Sequence, residues 1–438
     1  MEYGQVCKYL DDCLIFGIKP GLARIKKILE LLDNPQKKVE FIHVVGTNGK
    51  TSTTSIAARI LKYHGIKTAY HISPHINSYT ERIWLNGKDV SRKKFSRNFD
   101  RIYPCIKDVN KMNLKGPLTQ FEIITAMAFK LAEDEGIEAM VLEAGMGGRW
   151  DATNIADSKV AGLTGVSLEH TELLGDTIEK IASEKVEVIK KNALVATTCC
   201  DKEVLQILGQ KVVDTDSVLF LSGKDFYIQK KVNLGLGGWL LDIKGVKNIY
   251  RDLKLPLPGD YQPLNLSLGL VLAELYMKTK NKELIEKKVR ESLKYLKVRG
   301  RFEIIREKPL VIADASHNPE GIENFVKNIN CYFGSRRKII IFAVLKDKDY
   351  ESMVKKIIGA SDVLILTSSL TERSLDTGRL EEAVREKIKE LANGSSHEVG
   401  LYKMDNIEDS IKFALKISGI NDIICITGSI TNLENIVK

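Results

Sequence analysis

Residues 39–65 read VEFIHVVGTNGKTSTTSIAARILKYHG, and this stretch decides the fold. Its β-branched beginning predicts a short buried strand, and the residues after Gly49 carry helical periodicity as far as Gly65. A glycine turn from Gly46 to Gly49 joins the two and is followed by Lys50. Strand, glycine turn and helix in this order predict a phosphate-binding loop, because N–H groups at a helix N-terminus face an anion and the aligned peptide dipoles favour negative charge.

The loop departs from the common nucleotide pattern G-x-x-x-x-G-K-[ST], which requires a glycine five positions before the second one. That position is Val44, and the nearest earlier glycine is Gly46. A β-turn that merely precedes a helix is the alternative, but it leaves the lysine and the hydroxyls unexplained. In the phosphate interpretation Lys50 reaches the outer phosphates, and Thr51 or Ser52 offers a hydroxyl to them or to Mg²⁺. The predicted nucleotide-binding residues of the loop are Asn48, Gly49, Lys50, Thr51 and Ser52.

Strand-like and helical segments alternate along most of the chain, which predicts an α/β protein with a mostly parallel sheet covered on both faces. Residues 226–255 differ, because apolar and polar residues alternate there between glycine turns, and they predict antiparallel hairpins beside the main sheet. A second alternation begins after VRGR at 298–301. We therefore predict a larger N-terminal P-loop domain with a mostly parallel sheet, residues 1–296, and a smaller C-terminal Rossmann-like α/β domain, residues 297–438.

Composition narrows the class of protein. The chain has 438 residues, of which 44% are hydrophobic and 28% charged, an ordinary globular composition. Its net charge of +9 arises from lysines interspersed with acids, and without a basic-aromatic stripe we expect no nucleic-acid partner. The sequence contains no apolar run of about 18 residues and its N-terminus predicts no secretory leader, so we expect no membrane association. Seven scattered cysteines without a C-x-x-C pair predict a reduced cytoplasmic protein, which we expect to be a monomer.

Candidate Mg²⁺ ligands stand where predicted strands end. Ligands of open α/β sheets bind at the carboxyl edge of the strands, and Mg²⁺ prefers oxygen ligands. Ser73 closes TAYHIS, Glu143 ends AMVLE, and His170 follows AGLTGVS. Ser73 could instead cap a helix before Pro74, and His170 could be a surface residue. Only Glu143, at the end of an apolar strand, would be costly to bury without a charge partner.

Seven motifs, in this order, resemble the folylpolyglutamate synthases and dihydrofolate synthases, which are ATP-dependent amide ligases of the Mur ligase superfamily. The shortened G-x-x-G-K loop is the form that this superfamily uses, and the resemblance runs along nearly the whole chain. The set is much more specific than any one motif. The motifs are GTNGKTS (46–52), SPHINSYTERIWLNG (73–87), EAGMGGRWDATN (143–154), HTELLGDTIEKIASEK (170–185), PGDYQPLNLSLGL (258–270), VRGRFEII (298–305) and ADASHNPEG (313–321).

The resemblance implies a reaction in which a substrate carboxylate attacks the γ-phosphate of ATP and becomes an acyl phosphate. The amine of an incoming glutamate then displaces phosphate and forms an amide. Two Mg²⁺ ions are implied, held by Ser73, Glu143 and His170 with the phosphates, and by Lys185 as a carbamate. The plain interpretation of Lys185 is a solvated helix lysine, although no residue three or four positions away is acidic.

The resemblance also implies nucleotide contacts by Asn265, Arg301, Asp314 and His317. Arg301, at the predicted domain junction, would stabilise the transferring phosphate when the domains close, or it could form an interdomain salt bridge. Asp314 and Asn318 could instead simply cap the following helix. The implied catalytic residues are Lys50, Lys185 and His317.

The resemblance also implies that the segments around Phe121, Glu122 and Asp151 lie near the pterin-bearing substrate, although Phe121 could equally belong to the core. The small-molecule substrates would be pteroate or a folate, glutamate and ATP.

Four residues depart from the family pattern and bear on substrate identity. Thr51 stands where folate ligases usually have glycine, Val186 and Glu187 replace a small pair, and Tyr261 replaces a usual histidine. A Mur-like ligase that joins an amino acid to a non-folate acid is therefore the alternative. A cell-wall Mur ligase fits less well, because only 45 residues precede Gly46, too few for a UDP-binding domain of about 100 residues. A P-loop switch or nucleic-acid-stimulated ATPase leaves the later motifs unexplained.

Overall fold

The computed structural model describes residues 1–17, 19–112, 114–369, 371–392 and 399–437. The chain divides into two compact units. The first comprises residues 1–233, 239–256 and 262–296, and the second comprises residues 234–238, 257–261 and 297–438. The sequence predicted a single boundary between residues 296 and 297. That boundary does not account for the short segments 234–238 and 257–261, which belong to the second unit.

The first unit is built around an eight-stranded sheet. Its strands are β1 (Glu40–Val45), β2 (Thr68–His71), β3 (Ile83–Leu85), β4 (Lys88–Asp89), β5 (Ala139–Glu143), β6 (Ser158–Leu163), β7 (Leu194–Thr197) and β8 (Val218–Leu221). Their order across the sheet is β4-β3-β2-β5-β1-β6-β7-β8, with β3 and β4 antiparallel at one edge and the other six parallel. Every residue of β5 is buried, as expected of a parallel strand covered on both faces.

Helices cover both faces of this sheet. The α-helices of the first unit are α1 (Tyr3–Asp12), α2 (Ala23–Leu31), α3 (Lys50–Tyr63), α4 (Arg92–Lys111), α5 (Gln120–Asp134), α6 (Thr171–Leu174), α7 (Ile178–Lys185), α8 (Lys202–Asp214), α9 (Gln262–Thr279) and α10 (Glu286–Leu293). One apolar core joins α1, α2, α4 and α5 to the sheet, and another lies among α7, α8, β6 and β7. Helix α3, which follows the glycine loop, packs against α9 and β5.

A separate three-stranded antiparallel sheet consists of β9 (Tyr227–Asn233), β10 (Trp239–Lys244) and β11 (Ile249–Leu255), in the order β11-β10-β9. The prediction of antiparallel hairpins over residues 226–255 is therefore confirmed.

The second unit contains a six-stranded sheet with its own core. Its strands are β12 (Glu303–Glu307), β13 (Leu310–Ala313), β14 (Lys338–Phe342), β15 (Val363–Leu366), β16 (Gly400–Lys403) and β17 (Ile423–Thr427), and its helices are α11 (Pro319–Phe333), α12 (Tyr350–Ile358), α13 (Thr377–Ala392) and α14 (Ile407–Ile417). The strand order is β12-β13-β17-β14-β15-β16, with β12 antiparallel at the edge and the others parallel.

The predicted fold class is confirmed: a larger α/β unit with a mostly parallel sheet and a smaller α/β unit. Strand ends differ slightly from the prediction, since β2 stops at His71 and Ser73 lies two residues beyond it. Among helices in the described part of the chain, none combines the length and the apolar character needed to span a bilayer.

Candidate active site

The glycine loop lies at the centre of the carboxyl edge of the first sheet. Strand β1 has β5 on one side and β6 on the other, with Val44 level with Glu143 and Val45 level with Leu163. Because the three strands are parallel, the loop, the Glu143 carboxylate and the segment after Leu163 share one edge. Ligands of open α/β sheets bind at this edge.

The loop is held in a conformation that only glycine adopts easily. Gly49 has a φ of +87°, and a Cβ there would lie 2.4 Å from Asn265 Oδ1. Gly46 has a φ of +147°, and a Cβ there would lie 1.9 Å from Thr164 Oγ1. Helix α3 begins immediately afterwards at Lys50, so its first N–H groups are at the loop. The Asn265 side chain, from α9, therefore borders the loop, and its contact with nucleotide stays a prediction.

Two lysine side chains converge on the Gly46 carbonyl. Lys50 Nζ donates to Gly46 O at 3.1 Å and to Thr47 O at 2.8 Å, and Lys185 Nζ donates to Gly46 O at 2.7 Å. Burial, assisted by the positive charge of Lys50, lowers the pKa of Lys185 to about 7. The Lys50 ammonium beside the glycine loop provides positive charge where an anionic ligand would be stabilised, and Lys185 adds a second amine donor.

The interpretation of Lys185 as a solvated helix lysine is wrong, because only 3% of the residue is exposed. Lys185 is the last residue of α7, on the same face of the helix as the buried Ile181 and Ala182. The side chain therefore turns inward to the loop.

The Glu143 side chain is hydrogen-bonded to the start of α3. The residue is 2% exposed, and its two carboxylate oxygens accept from Thr51 Oγ1 at 3.0 and 3.1 Å. The backbone N–H of Ser73 points to the same carboxylate at 3.4 Å. Ser52 is itself buried, at 2% exposure, so Thr51 is the more accessible hydroxyl. Thr51, one of the four residues that depart from the family pattern, is thus hydrogen-bonded to the carboxylate that is predicted to hold metal.

His170 lies just before the short helix α6 with a φ of 54°. Its Nε2 is 3.5 Å from the Glu169 carboxylate, and the negative charge of Glu169 opposes the lowering of the Lys185 pKa. Over the described ranges, no three His, Cys, Asp or Glu side chains are grouped closely enough to hold a metal ion by themselves. Mg²⁺ commonly takes one or two carboxylates and completes its shell with water and phosphate. The Thr51–Glu143 pair fits such an ion.

Phe121 and Asp151 pack against the turn that follows β5. A Cβ added to Gly145 would lie 2.7 Å from Phe121 Cζ and 3.2 Å from Asp151 Oδ2. Phe121 is partly exposed, whereas Asp151 is 5% exposed and accepts N–H from Met146 at 2.8 Å and Thr153 at 3.0 Å. Burial raises the pKa of Asp151. The structure therefore brings these two predicted substrate residues together.

Glu122 is engaged inside the protein. It is 4% exposed, and its carboxylate accepts from Arg24 Nε at 3.0 and 3.1 Å and from Thr119 N at 2.8 Å, which completes the N-terminal cap of α5. Arg24 also donates to Lys19 O at 2.7 Å and Leu114 O at 3.3 Å. Glu122 thus ties the N-terminal segment to α5, and its contact with substrate stays a prediction.

Replacing Glu122 by Gln is expected to lower the free energy of unfolding by about 2 kcal/mol, because a buried guanidinium would lose its charged acceptor. Urea denaturation measures this change. Glu283→Gln is the matched control, since Glu283 pairs with Lys247 at the exposed surface, where solvent screens the pair, and its free energy of unfolding should change much less. Equal losses in the two variants would contradict the internal role of Glu122.

Arg301 and Asp314 belong to the second unit. Asp314 is 2% exposed and accepts N–H from Phe302 at 2.8 Å and Ser316 at 2.9 Å. Burial raises the pKa of Asp314, and the positive charge of Arg301 opposes that rise. The pKa of Tyr261 lies well above its usual value, because the hydroxyl is buried and the Asp314 charge acts in the same direction. Tyr261, one of the residues that depart from the family pattern, therefore lies close to Asp314 and Arg301, which are both predicted to bind nucleotide.

His317 follows β13 in the same unit, and its Nδ1 donates to Ala315 O at 2.9 Å. Helix α11 is capped by Asn318, whose side chain accepts from Gly321 N at 2.7 Å. The capping alternative is thus confirmed for Asn318 and wrong for Asp314.

Sequence reasoning missed Glu169 and Thr164. Glu169 stands beside His170 in the chain, so a search for acids next to predicted ligands would have found it. Thr164 follows β6 and packs against Gly46, a proximity that no local pattern signals.

Residues 44–273 match the Mur ligase middle domain, and residues 300–430 match the glutamate ligase domain of Mur ligases. The chain is 30% identical over 437 residues to the dihydrofolate synthase/folylpolyglutamate synthase of Bacillus subtilis, covering 100% of this chain and 98% of that one. Identity to the Mycobacterium tuberculosis protein of the same name is also 30%, over 84% of this chain and 78% of that one.

Solved structures agree with this relationship. The folylpolyglutamate synthase of Mycobacterium tuberculosis complexed with ADP superposes with a TM-score of 0.90 at 29% identity, covering 98% of this chain and 96% of that one. The folylpolyglutamate synthase of Thermotoga maritima gives a TM-score of 0.82 at 29% identity, covering 98% and 94%.

Proposed function

The chain belongs to the folylpolyglutamate synthase and dihydrofolate synthase family of Mur ligases, and from this premise we propose that it joins L-glutamate to dihydropteroate or to a folate in an ATP-dependent reaction. It is a ligase that forms a carbon–nitrogen bond between a carboxylic acid and an amino acid. The observation that carries the proposal is the convergence of Lys50 and Lys185 on the glycine loop, beside the Thr51–Glu143 pair.

The loop fits the triphosphate of ATP. The N–H groups at the start of α3 and the Lys50 ammonium would neutralise phosphate charge, and the bare Cα of Gly49 leaves room for the Asn265 side chain. ATP supplies the phosphoryl group that activates the substrate carboxylate. Positioning by the glycine loop and Lys50, together with charge neutralisation, would supply most of the rate.

The oxygen atoms beside the loop fit Mg²⁺. Thr51 and Glu143 would hold one ion together with phosphate oxygens and water, with Ser73 and His170 as further proposed ligands. Mg²⁺ would neutralise charge on the phosphates while they are transferred.

Lys185 is proposed to become a carbamate that helps to hold a second Mg²⁺. The buried amine has a lowered pKa, so a large share of it is neutral near pH 7, and only a neutral amine attacks CO₂. The new carboxylate would replace a buried amine by an anion that a metal ion neutralises. The Glu169 carboxylate, which lies beside His170, is close enough to Lys185 to act on its pKa.

The nucleotide contacts of the second unit are proposed to come from Arg301, Asp314 and His317. The buried Asp314, held by two backbone N–H groups, presents a fixed acceptor, and Arg301 provides positive charge in the same region.

A ligation screen tests the proposed function. Purified protein is given ATP, Mg²⁺ and glutamate with dihydropteroate, tetrahydrofolate or unrelated carboxylic acids, and phosphate release and amide product are measured. Turnover is expected with at least one of the first two and only when glutamate is present. Turnover confined to another acid would establish the alternative, a Mur-like ligase of non-folate acids, which Tyr261 and the Val186–Glu187 pair keep open.

Gly49→Ala is expected to raise the KM for ATP about tenfold or more. An alanine at a φ of +87° is strained, and its Cβ would displace the Asn265 side chain that borders the loop. Steady-state kinetics with varied ATP measure this effect, with the KM for glutamate as the internal control. A KM for ATP within twofold of wild type would contradict the role of the loop. Gly209→Ala on α8, where an added Cβ meets nothing within 4 Å, serves as the matched variant.

We further propose that the enzyme acts as a cytoplasmic monomer on small molecules, without nucleic acid or membrane. All seven cysteines are free thiols, in keeping with a reducing compartment. Light scattering coupled to gel filtration measures the molar mass in solution and so tests the monomeric state.

A further inference from the structure

His43 lies in the middle of β1, inside the stretch that decides the fold, and it has no part in the proposed reaction. The residue is fully buried, with 0% exposure. Its Nε2 lies 2.8 Å from Thr153 Oγ1. Its Nδ1 has no hydrogen-bond partner among the described residues. A buried polar atom without a partner is costly, so an aliphatic or aromatic residue would fill this position more cheaply unless the imidazole served another purpose.

Counting hydrogens fixes the direction of the contact. Thr153 has one hydroxyl hydrogen, and Oγ1 donates it to Asp151 Oδ1, which also accepts the Thr153 N–H at 3.0 Å. The hydroxyl can therefore only accept from His43, so the imidazole carries its hydrogen on Nε2. The result is a chain of donors that runs from His43 Nε2–H through Thr153 Oγ1–H to the Asp151 carboxylate.

This chain of donors ends at the carboxylate that is predicted to lie near the substrate. Asp151 Oδ2 accepts from Met146 N at 2.8 Å and lies against Gly145, next to the Phe121 ring. The donors to this carboxylate are the backbone N–H groups of the surrounding turn and the Thr153 hydroxyl, and of these only the hydroxyl can rotate away. Because His43 donates to the Thr153 hydroxyl oxygen, the hydroxyl hydrogen is directed toward Asp151.

The imidazole stays neutral, so it donates one hydrogen and brings no charge to the buried carboxylate. Burial lowers the pKa of His43 to about 3, and the positive charge of Lys190 acts in the same direction. Lys190 itself donates to Asn154 O and Asn154 Oδ1, both at 2.8 Å, and so holds the other end of the same turn.

We propose that His43 is a positioning residue for substrate recognition, which acts through Thr153 to fix the Asp151 carboxylate toward the acid substrate. The inference rests on the proposed function and on the prediction that Asp151 lies near the pteroate or folate. His43 itself touches neither substrate nor nucleotide loop in this role.

Steady-state kinetics test the proposal with His43→Phe, which keeps a ring and removes the donor, and with Thr153→Val, which keeps the shape and removes the hydroxyl. Thr153→Val is expected to raise the KM for the acid substrate about tenfold, the effect of losing one hydrogen bond to a charged group, and His43→Phe about fivefold, since it removes a hydrogen bond between neutral groups. The kcat should fall less than threefold, and the KM for ATP should stay within twofold. His43→Gln, whose amide N–H can stand in for Nε2–H, should restore much of the affinity.

Two controls separate positioning from general destabilisation. Thr197→Val removes another fully buried threonine hydroxyl, which donates to Leu163 O at 2.8 Å on β7, and should leave the KM for the acid unchanged. In an Asp151→Asn background, His43→Phe should add less than a twofold change. The proposal is overturned if the KM for the acid is unaffected by His43→Phe and Thr153→Val, or if their effect persists undiminished in the Asp151→Asn background.

Failure of the proposed function has a different signature. In that case wild type would ligate neither dihydropteroate nor a folate, and the same measurements would be made with whichever acid the screen identifies. The donor chain is checked independently of any substrate by ¹⁵N NMR of the histidine rings. His43 should appear as the Nε2–H tautomer and should not titrate between about pH 5 and 8. An Nδ1–H tautomer or a titrating ring would overturn the proposal.

Discussion

Lys185→Ala is expected to abolish ligation, with a loss of about 10³-fold or more in kcat. Lys185 Nζ is buried and lies 2.7 Å from the carbonyl of the glycine loop, so its removal leaves a gap beside the proposed phosphate site. One preorganised electrostatic group in a closed site typically contributes 10²- to about 10³-fold, and loss of a metal ligand adds to it. Phosphate release with saturating substrates measures the effect. Lys180→Ala, on the exposed face of the same helix, is the matched control and should retain wild-type turnover.

The proposed carbamate on Lys185 allows two further tests. Addition of acetate or formate to Lys185→Ala should restore part of the activity, because a free carboxylate can occupy the position of the missing one. In the wild type, ¹³C-labelled bicarbonate should give a carbamate signal that grows between about pH 6 and 8, since the neutral fraction of an amine with a pKa of about 7 rises over that range. The signal should vanish in Lys185→Ala. Full activity of Lys185→Ala would rule out the carbamate role.

Glu143→Gln is expected to lower kcat about 10²-fold and to raise the Mg²⁺ concentration needed for half-maximal turnover about tenfold. The amide retains the size of the side chain and one acceptor for Thr51 Oγ1, but it removes the negative charge that would attract the ion. Turnover measured across a Mg²⁺ titration separates the two effects.

Glu138→Gln is the control for Glu143, because Glu138 stands just before the opposite end of β5, is exposed, and accepts from the backbone N–H of Lys67, away from the glycine loop. It should show the wild-type Mg²⁺ dependence. A Glu143→Gln enzyme with an unchanged Mg²⁺ profile would remove Glu143 from the metal site. Thr51→Val, which removes the hydroxyl and keeps the shape, should show the same shift as Glu143→Gln in milder form.

Local sequence patterns predicted the elements that carry the site. The β-branched run before Gly46 and the helical period after Gly49 gave β1 and α3, and the alternation of residues 226–255 gave β9, β10 and β11. These predictions succeeded because strand and helix periodicity and glycine turns depend on neighbours a few residues away. The position of Glu143 at the end of an apolar strand was local information of the same kind.

The sequence by itself determined the two α/β units, the glycine loop and the identity of the groups that surround it. Only the tertiary structure decided which of those groups meet. The inward turn of Lys185, the bond from Thr51 to Glu143, the internal pairing of Glu122 with Arg24 and the donor chain from His43 to Asp151 join residues as much as 139 positions apart. Their burial and hydrogen bonding follow from the order of strands in the sheet and from the helices packed on it. The free energy of a buried charge depends on those surroundings and not on neighbours in the chain.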